Sequence, residues 1–315
     1  MTATDILGAI GGTRLLPLRR LGPAGAARIL VKMESENPTG SMKDRMALAM
    51  IAAAEADGRL PPGGPVVEYT GGSTGVSLAL VCRAKGHPLH IVTADAFQPE
   101  KLDHMRILGA RLRVLASDGG RMTARLTHDM IAAAGVVAAE TGAFWTDQMR
   151  NMDQLSAYRA MADEIRDQAG PVDGFVQSVG TAAALRGVGE RLRQLDPAVR
   201  IVAVEPAESP VLSSGATGAH GIDGMGAGFV VPLWRPDLAD AIHPVSTAEA
   251  TAMALRLARE EGQFGGLSTG ANLVAARHLA RELGPGRTVV TVLCDTGMKY
   301  PGRYARALAE ADQAR

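Results

Sequence analysis

Four short segments of this 315-residue chain hold residue types that could do chemistry. Only five of its 33 basic residues are lysines: Lys32, Lys43, Lys85, Lys101 and Lys299. A lysine amine can lose its proton and attack a carbonyl, whereas an arginine guanidinium cannot. Lys43 stands in Asn37-Pro-Thr-Gly-Ser-Met-Lys-Asp-Arg45, near the start of a predicted helix. Thr70-Gly71-Gly72-Ser73-Thr74-Gly75 combines hydroxyls with glycines that let a backbone approach a ligand closely. Gly180-Thr181-Ala182-Ala183-Ala184 follows a predicted strand and opens a helix, where backbone N–H groups can hold an anion. Cys294-Asp295-Thr296-Gly297-Met298-Lys299-Tyr300 follows the last predicted strand.

Other templates fit less well. There is no GxxxxGK[ST], and no GxGxxG follows a strand. Gly224-Met-Gly-Ala-Gly228 has the wrong spacing and reads as a flexible backbone loop. G-x-S-x-G occurs at Gly71–Gly75 and again at Gly266–Gly270. The second has a helix behind it, but the first sits between strand and helix, as a nucleophile elbow does. A serine hydrolase using Ser73 is therefore a rival from another enzyme class. It lacks an HGGG-type oxyanion loop, and Asp295 and His243 come in the wrong chain order for a triad. Cys82 and Cys294 read as buried apolar residues, and without HExxH no metal is expected.

Alternating strands and helices must carry these segments. Strands are expected at 29–33, 66–70, 90–94, 111–116, 174–179, 200–205 and 288–295. Helices are expected at 41–58 (with Ser41 as N-cap), 73–86, 99–110, 122–135, 151–170, 181–196, 247–262 and 269–284. Such alternation implies parallel βαβ crossovers. Two doubly wound, three-layer α/β domains fit, with a break near Trp145–Asn151. The expected division is a smaller domain over 36–150, carrying Lys43 and the Thr70–Gly75 loop, and a larger one over 1–35 and 151–315. Ligands of open α/β sheets bind where strands run into helices, which is where all four segments fall.

Composition narrows the function classes. Apolar residues make up 46 % and charged residues 21 %, as in a soluble globule. The formal net charge is zero, which disfavours a nucleic-acid partner. No apolar run approaches the roughly 20 residues of a membrane span. The first residues lack the pattern of a signal peptide, so a cytoplasmic location is expected.

NPTGSMKDR resembles the cofactor-lysine segment of fold-type II pyridoxal-phosphate enzymes, of the cysteine synthase and cystathionine β-synthase family. IGGTRLLPLRRL, EYTGGSTGVSLA, SVGTAAALRGVG, EPAESPVL, GMGAGF, EEGQFGGLSTGA and VLCDTGMKY are similar to further segments of that family, in its order. The resemblance implies a tryptophan synthase β-like fold with the active site between the two domains. It implies that Lys43 holds pyridoxal 5'-phosphate and moves the substrate α-proton. Gly180, Thr181, Ala182, Ala183 and Ala184 would cradle the phosphate. Thr70, Gly71, Gly72, Ser73 and Thr74 would bind the substrate carboxylate, with Ser73 also near the cofactor ring and Gln148 near the substrate. Thr296 would face the pyridine nitrogen unless Asp295 does so. The implied reaction is β-replacement on a serine derivative through an aminoacrylate, by default O-acetylserine plus sulfide giving L-cysteine.

Another activated serine, another small nucleophile, a serine or threonine dehydratase, and a catalytically silent cofactor-binding homologue stay open. A homodimer is implied, and a C-terminal regulatory domain is not expected. Three departures from the family stand in the ligand loops. Ser73 replaces an asparagine, Gly71 replaces a serine, and Ala182–Ala184 replace Gly-Gly-Thr. They suggest a specialised β-synthase.

Overall fold

The computed structural model describes residues 4–120 and 123–313. In chain order the elements are β1 (Leu15–Pro17), β2 (Arg28–Met33), α1 (Lys43–Ala56), β3 (Val66–Tyr69), α2 (Ser73–Lys85), β4 (Leu89–Ala94) and α3 (Pro99–Ile107). There follow β5 (Arg111–Leu115), α4 (Ala124–Thr141), β6 (Phe144–Trp145), α5 (Gln154–Ala169), β7 (Gly174–Ser178), α6 (Ala183–Leu195) and β8 (Arg200–Pro206). The rest are α7 (Val211–Ser214), β9 (Ala241–Val245), α8 (Thr247–Arg256), α9 (Leu267–Leu283), β10 (Thr288–Leu293) and α10 (Pro301–Gln313).

The chain divides into two compact units, Met1–Gly11 with Asn37–Ala157 and Gly12–Glu36 with Tyr158–Arg315. Gly11 donates its N–H to Asn37 Oδ1, tying the N-terminal stretch to the first unit and not to the second, where sequence reading put it. The first unit also runs past 150, to Ala157.

The first unit holds a parallel four-stranded sheet in the order β5-β4-β3-β6. Every residue of β3 is buried, as expected for a strand covered on both faces. The edge strand β5 instead carries Arg111 and Arg113, charges that discourage further strand pairing. Val67, Tyr69, Val92 and Ala94 pack with Leu126, Met130, Ala134 and Val137 of α4. Burying each large apolar side chain contributes about 1.5–3 kcal/mol.

The second unit holds a six-stranded sheet in the order β1-β2-β10-β7-β8-β9, parallel except for the edge strand β1. Its core joins Ile29, Val31, Val176, Val204 and Val289 to the apolar face of α9. Gly270 sits where a Cβ would overlap the Ala250 carbonyl, so glycine lets α9 pack directly on α8. The second G-x-S-x-G is thus partly a packing motif.

Several boundaries move. Met122, the expected start of a helix, lies outside the described residues. That helix does not stop at Gly135 but runs to Thr141, where Gly142 closes it at φ 65°. The apolar period continues through Gly135, and a Cβ there would meet nothing closer than Trp145 at 3.7 Å. The expected 247–262 helix ends at Arg256 and continues as a π-helical turn, Leu257–Glu261. β9 escaped notice because Pro244 interrupts it, which an edge strand tolerates. The two- and three-residue strands β6 and β1 are too short to show a period.

Candidate functional site

Each sheet has one place where the chain reverses its direction of strand addition. In the first unit β3, β4 and β5 step one way, and β6 then returns to the other side of β3. In the second, β7, β8 and β9 step one way, and β10 returns beside β7. Ligands of open α/β sheets bind outside the strand carboxyl ends at such switch points. The loops at these ends follow β3, β6, β7 and β10. They contain Thr70–Gly75, Gln148, Gly180–Ala184 and Cys294–Tyr300, three of the four segments singled out by residue type plus the glutamine; the fourth, with Lys43, follows β2.

Lys43 is the first residue of α1 and is half-buried. Ser41 is not the N-cap, as sequence reading had it; Met42 occupies that position without a side-chain cap. The Ser41 hydroxyl instead accepts the Lys43 N–H at 3.2 Å. The turn before Lys43 is held by the buried Asp44 carboxylate, which accepts the Thr39 N–H (2.8 Å) and the Thr39 hydroxyl (2.5 Å). A carboxylate in the first turn also suits the helix dipole.

The loop after β3 folds through a Thr70 turn, in which Thr70 Oγ1 accepts the Gly72 N–H. α2 begins at Ser73 with Gly72 as an extended N-cap that supplies no side-chain bond. Helix-start amides of this kind are suited to a carboxylate. Gly71 has no room for a side chain, because a Cβ there would overlap the Phe97 ring. Gly75 packs against Met105, whose terminal carbon would lie 2.7 Å from a Cβ. Thr74 donates its hydroxyl to Gln148 Oε1 at 2.8 Å, so the loops after β3 and β6 are joined through residues expected to serve one substrate.

The backbone decides against both serine elbows. Among the described residues, only Asp147 and Ala182 adopt positive φ without being glycine. Neither Ser73 nor Ser268 has the strained turn that presents a hydrolase nucleophile.

In the second unit α6 starts at Ala183, two residues after the expected start, with Ala182 as a left-handed N-cap (φ 68°, ψ −10°). The N-cap Ala182 supplies no side-chain bond to α6, and the Thr181 hydroxyl accepts the Ala183 N–H at 3.4 Å. A left-handed residue before a helix start turns successive N–H groups towards one point, as anion-binding nests do. The Gly224–Gly228 run supports this loop. A Cβ on Gly180 would overlap the Gly224 carbonyl, and Gly226 donates its N–H to Val179 O at 2.9 Å. The glycine spacing is therefore not a free loop but backs the Gly180–Ala184 loop. Ala182→Gly should raise stability by about 1 kcal/mol, since only glycine adopts this φ without cost. Thermal melts would show it; an unchanged or lower Tm would mean that Ala182 is not left-handed.

After β10, Asp295 is buried and its Oδ2 accepts the Tyr300 hydroxyl at 2.6 Å. Burial and the adjacent carboxylate push the Tyr300 phenol far above its ordinary range. Thr296 is half-buried, and its Oγ1 accepts the Met298 N–H, which leaves its own proton to donate. Ser268 lies close in sequence to a bond that ties α9 to this loop. It is buried in the first turn of α9, whose N-cap Gly266 donates its N–H to the Asp295 carbonyl. Sequence reading had tested it only as a hydrolase elbow.

Residues 6–295 match the family of pyridoxal-phosphate dependent enzymes. The chain is 38 % identical over 301 residues to a cysteine synthase of Staphylococcus aureus, covering 94 % of each. Its fold matches O-acetyl serine sulfhydrylase isoform 3 of Entamoeba histolytica with a TM-score of 0.88 at 36 % identity, over 96 % of this chain and 91 % of that one. It matches an O-ureido-L-serine synthase with a TM-score of 0.87 at 35 % identity, over 94 % and 93 %.

Proposed function

Because the chain belongs to the pyridoxal-phosphate dependent enzyme family, we propose that it catalyses β-replacement on a serine derivative, with O-acetylserine and sulfide giving L-cysteine. The observation that carries the reading is the start of α6, a helix N-terminus behind a left-handed residue that supplies no cap of its own and that suits a phosphate. The residues present fit the cofactor: a primary amine at Lys43 for its aldehyde, and for its phosphate the backbone amides at the start of α6, of which the one at 183 also reaches Thr181 Oγ1 at 3.4 Å.

When bound, the cofactor supplies an electron sink for the charge left when the substrate α-proton is removed. Lys43 Nζ attaches the cofactor and then carries that proton. Backbone amides of the Thr70–Thr74 loop and its hydroxyls hold the substrate carboxylate, with Gln148 fixed beside them through Thr74. Thr181, just before the N-cap, would assist the phosphate loop with its hydroxyl, which accepts the Ala183 N–H. Thr296 would donate a hydrogen bond from its hydroxyl to the ring nitrogen. A neutral donor leaves that nitrogen without a full charge, which suits loss of a β-substituent.

The test is to reconstitute the purified protein with pyridoxal 5'-phosphate. Visible absorbance and cysteine formation from O-acetylserine and sulfide are expected, and a colourless protein without turnover would overturn the reading. A second reading, with another small nucleophile, is favoured by the Phe97 ring where a side chain at 71 would stand. Turnover of O-acetylserine that yields no cysteine with sulfide would select it.

Thr296→Val should change the pH dependence of the cofactor absorbance while Ser268→Ala leaves it unchanged. The reverse result would give the ring-nitrogen role to Ser268. Ser73→Ala should cost about one hydrogen bond, roughly 0.5–1.5 kcal/mol, or up to about 3 if a carboxylate loses its partner. That corresponds to roughly a 2- to 150-fold fall in kcat/KM. A loss nearer 10⁴–10⁶-fold would restore Ser73 as a nucleophile.

No described helix is long and apolar enough to cross a membrane. A cytoplasmic homodimer belongs to the same proposal; a monomer mass by light scattering would remove the dimer.

A further inference from the structure

We infer that Glu68 is a positioning residue for the substrate-carboxylate loop, holding Gln148 against Thr74 by gripping both sides of the turn at Asp147. The inference deepens the proposed function and rests on it for the identity of the substrate.

Glu68 lies near the end of β3 and is fully buried. Its Oε2 accepts the Thr146 hydroxyl (2.6 Å) and the Gln148 N–H (2.9 Å), and its Oε1 accepts the Tyr69 N–H (2.9 Å). Thr146 and Gln148 flank Asp147, which sits at φ 41°. A non-glycine residue keeps such a backbone only where its surroundings over-determine it. One carboxylate oxygen bonded to both flanking residues provides that constraint. The Gln148 amide is then fully directed. Its Nε2 donates to Tyr69 O (3.3 Å), its Oε1 accepts the Thr74 hydroxyl, and Gln154 Nε2 holds its backbone carbonyl (2.8 Å). The path runs from Glu68 through Gln148 to Thr74 in the first turn of α2. Every side chain in it is buried.

The grip depends on charge. An ionised carboxylate only accepts hydrogen bonds, so it satisfies all three donors. Once protonated it turns a donor towards donors. The charged group acting on it is Asp147, itself paired with Arg150 at 3.5 Å, while the Tyr69 phenol is pushed above its ordinary range and stays neutral. Burial outweighs the three donors, and the Asp147 charge adds to it, so Glu68 is pushed up to about 7. The grip should weaken as pH falls through that value. Stability runs the other way. The native carboxyl binds its proton more tightly than the unfolded one, so Glu68 makes the protein less stable as pH rises from its ordinary value to about 7.

The chain has two tryptophans, and Trp145 adjoins Thr146. In a Trp234→Phe background of the holoenzyme, Trp145 emission should titrate with a midpoint near 7, and Glu68→Gln should abolish the transition. At high pH, Glu68→Gln should raise KM for O-acetylserine roughly tenfold or more, as expected for losing one charge-assisted hydrogen bond, with kcat little changed. Thr146→Val removes one donor and keeps the fold, so it should move the emission midpoint and the KM inflection to higher pH. It decides alone if Glu68→Gln fails to fold. A transition that persists in Glu68→Gln, or an unmoved midpoint in Thr146→Val, overturns the inference. Normal titration without O-acetylserine turnover overturns the reaction and this substrate role together. Turnover without the titration overturns Glu68 alone.

Discussion

Lys43→Ala protein should fold normally and lose turnover by roughly 10⁴-fold or more, because the group that attaches the cofactor and the group that moves the proton are lost together. The expectation of a normal fold follows from what holds the start of α1. The turn is fixed by Asp44 and its two bonds to Thr39, and by Ser41 on the Lys43 backbone amide, none of which uses the lysine side chain. Cofactor should still bind, more weakly, through the amides at the start of α6. Thermal melts, absorbance on adding cofactor and single-turnover assays separate these outcomes. Borohydride reduction of the wild-type holoenzyme followed by peptide mapping should place the cofactor on Lys43. Label on Lys32, Lys85, Lys101 or Lys299 would sink the assignment.

Gly71→Ser should be the second most damaging change, although it inserts the residue usual in the resembling family. A Cβ at 71 would overlap Phe97, and that ring is no loose end, since it packs against the core of the first unit. Forcing a side chain into filled space costs about 1–3 kcal/mol. The loop that must move is the proposed carboxylate site, and displacement by about 1 Å can cost on the order of 10²-fold in rate. We therefore expect a fall in kcat/KM of roughly 10- to 100-fold. Phe97→Ala alone opens space without moving the loop and should be milder. The double variant should recover much of the loss, with a coupling of about 1 kcal/mol or more between the two sites. Additive losses would show that the ring does not fill the space at 71. The pairing explains why this chain carries glycine there, and it makes Phe97 part of the loop's design despite a separation of 26 residues.

Residue type and local pattern were enough for the architecture and for picking out candidate ligand loops, while the roles proposed for their residues came with the family resemblance. Period-2 and period-3.6 runs placed most strands and helices, because those periods follow from backbone geometry within each element. The elements that escaped were those where the local signal is weak, as in β6 with two residues, or misleading, as in β9 with Pro244 and α4 with Gly135. The Thr70–Gly75 and Gly180–Ala184 loops were legible as candidates because each combines its own residue types with the turn that follows a strand, and Lys43 because its segment resembles the family's.

What the tertiary structure decided concerns pairs distant in sequence. Glu68 looked like one more polar residue in a strand until β6 came beside β3 and brought Thr146 and Gln148, some 78 and 80 positions away, onto its carboxylate. Gly224 looked like a loose loop until it met Gly180, and Gly71 looked like a lost serine until Phe97 filled its place. A hydrogen bond or an excluded volume is fixed by separation in space, and chain order does not encode that separation. Residue type, spacing and family resemblance could therefore name candidate groups for the chemistry. Only the packing of β3 against its neighbours could show which buried groups hold them in place.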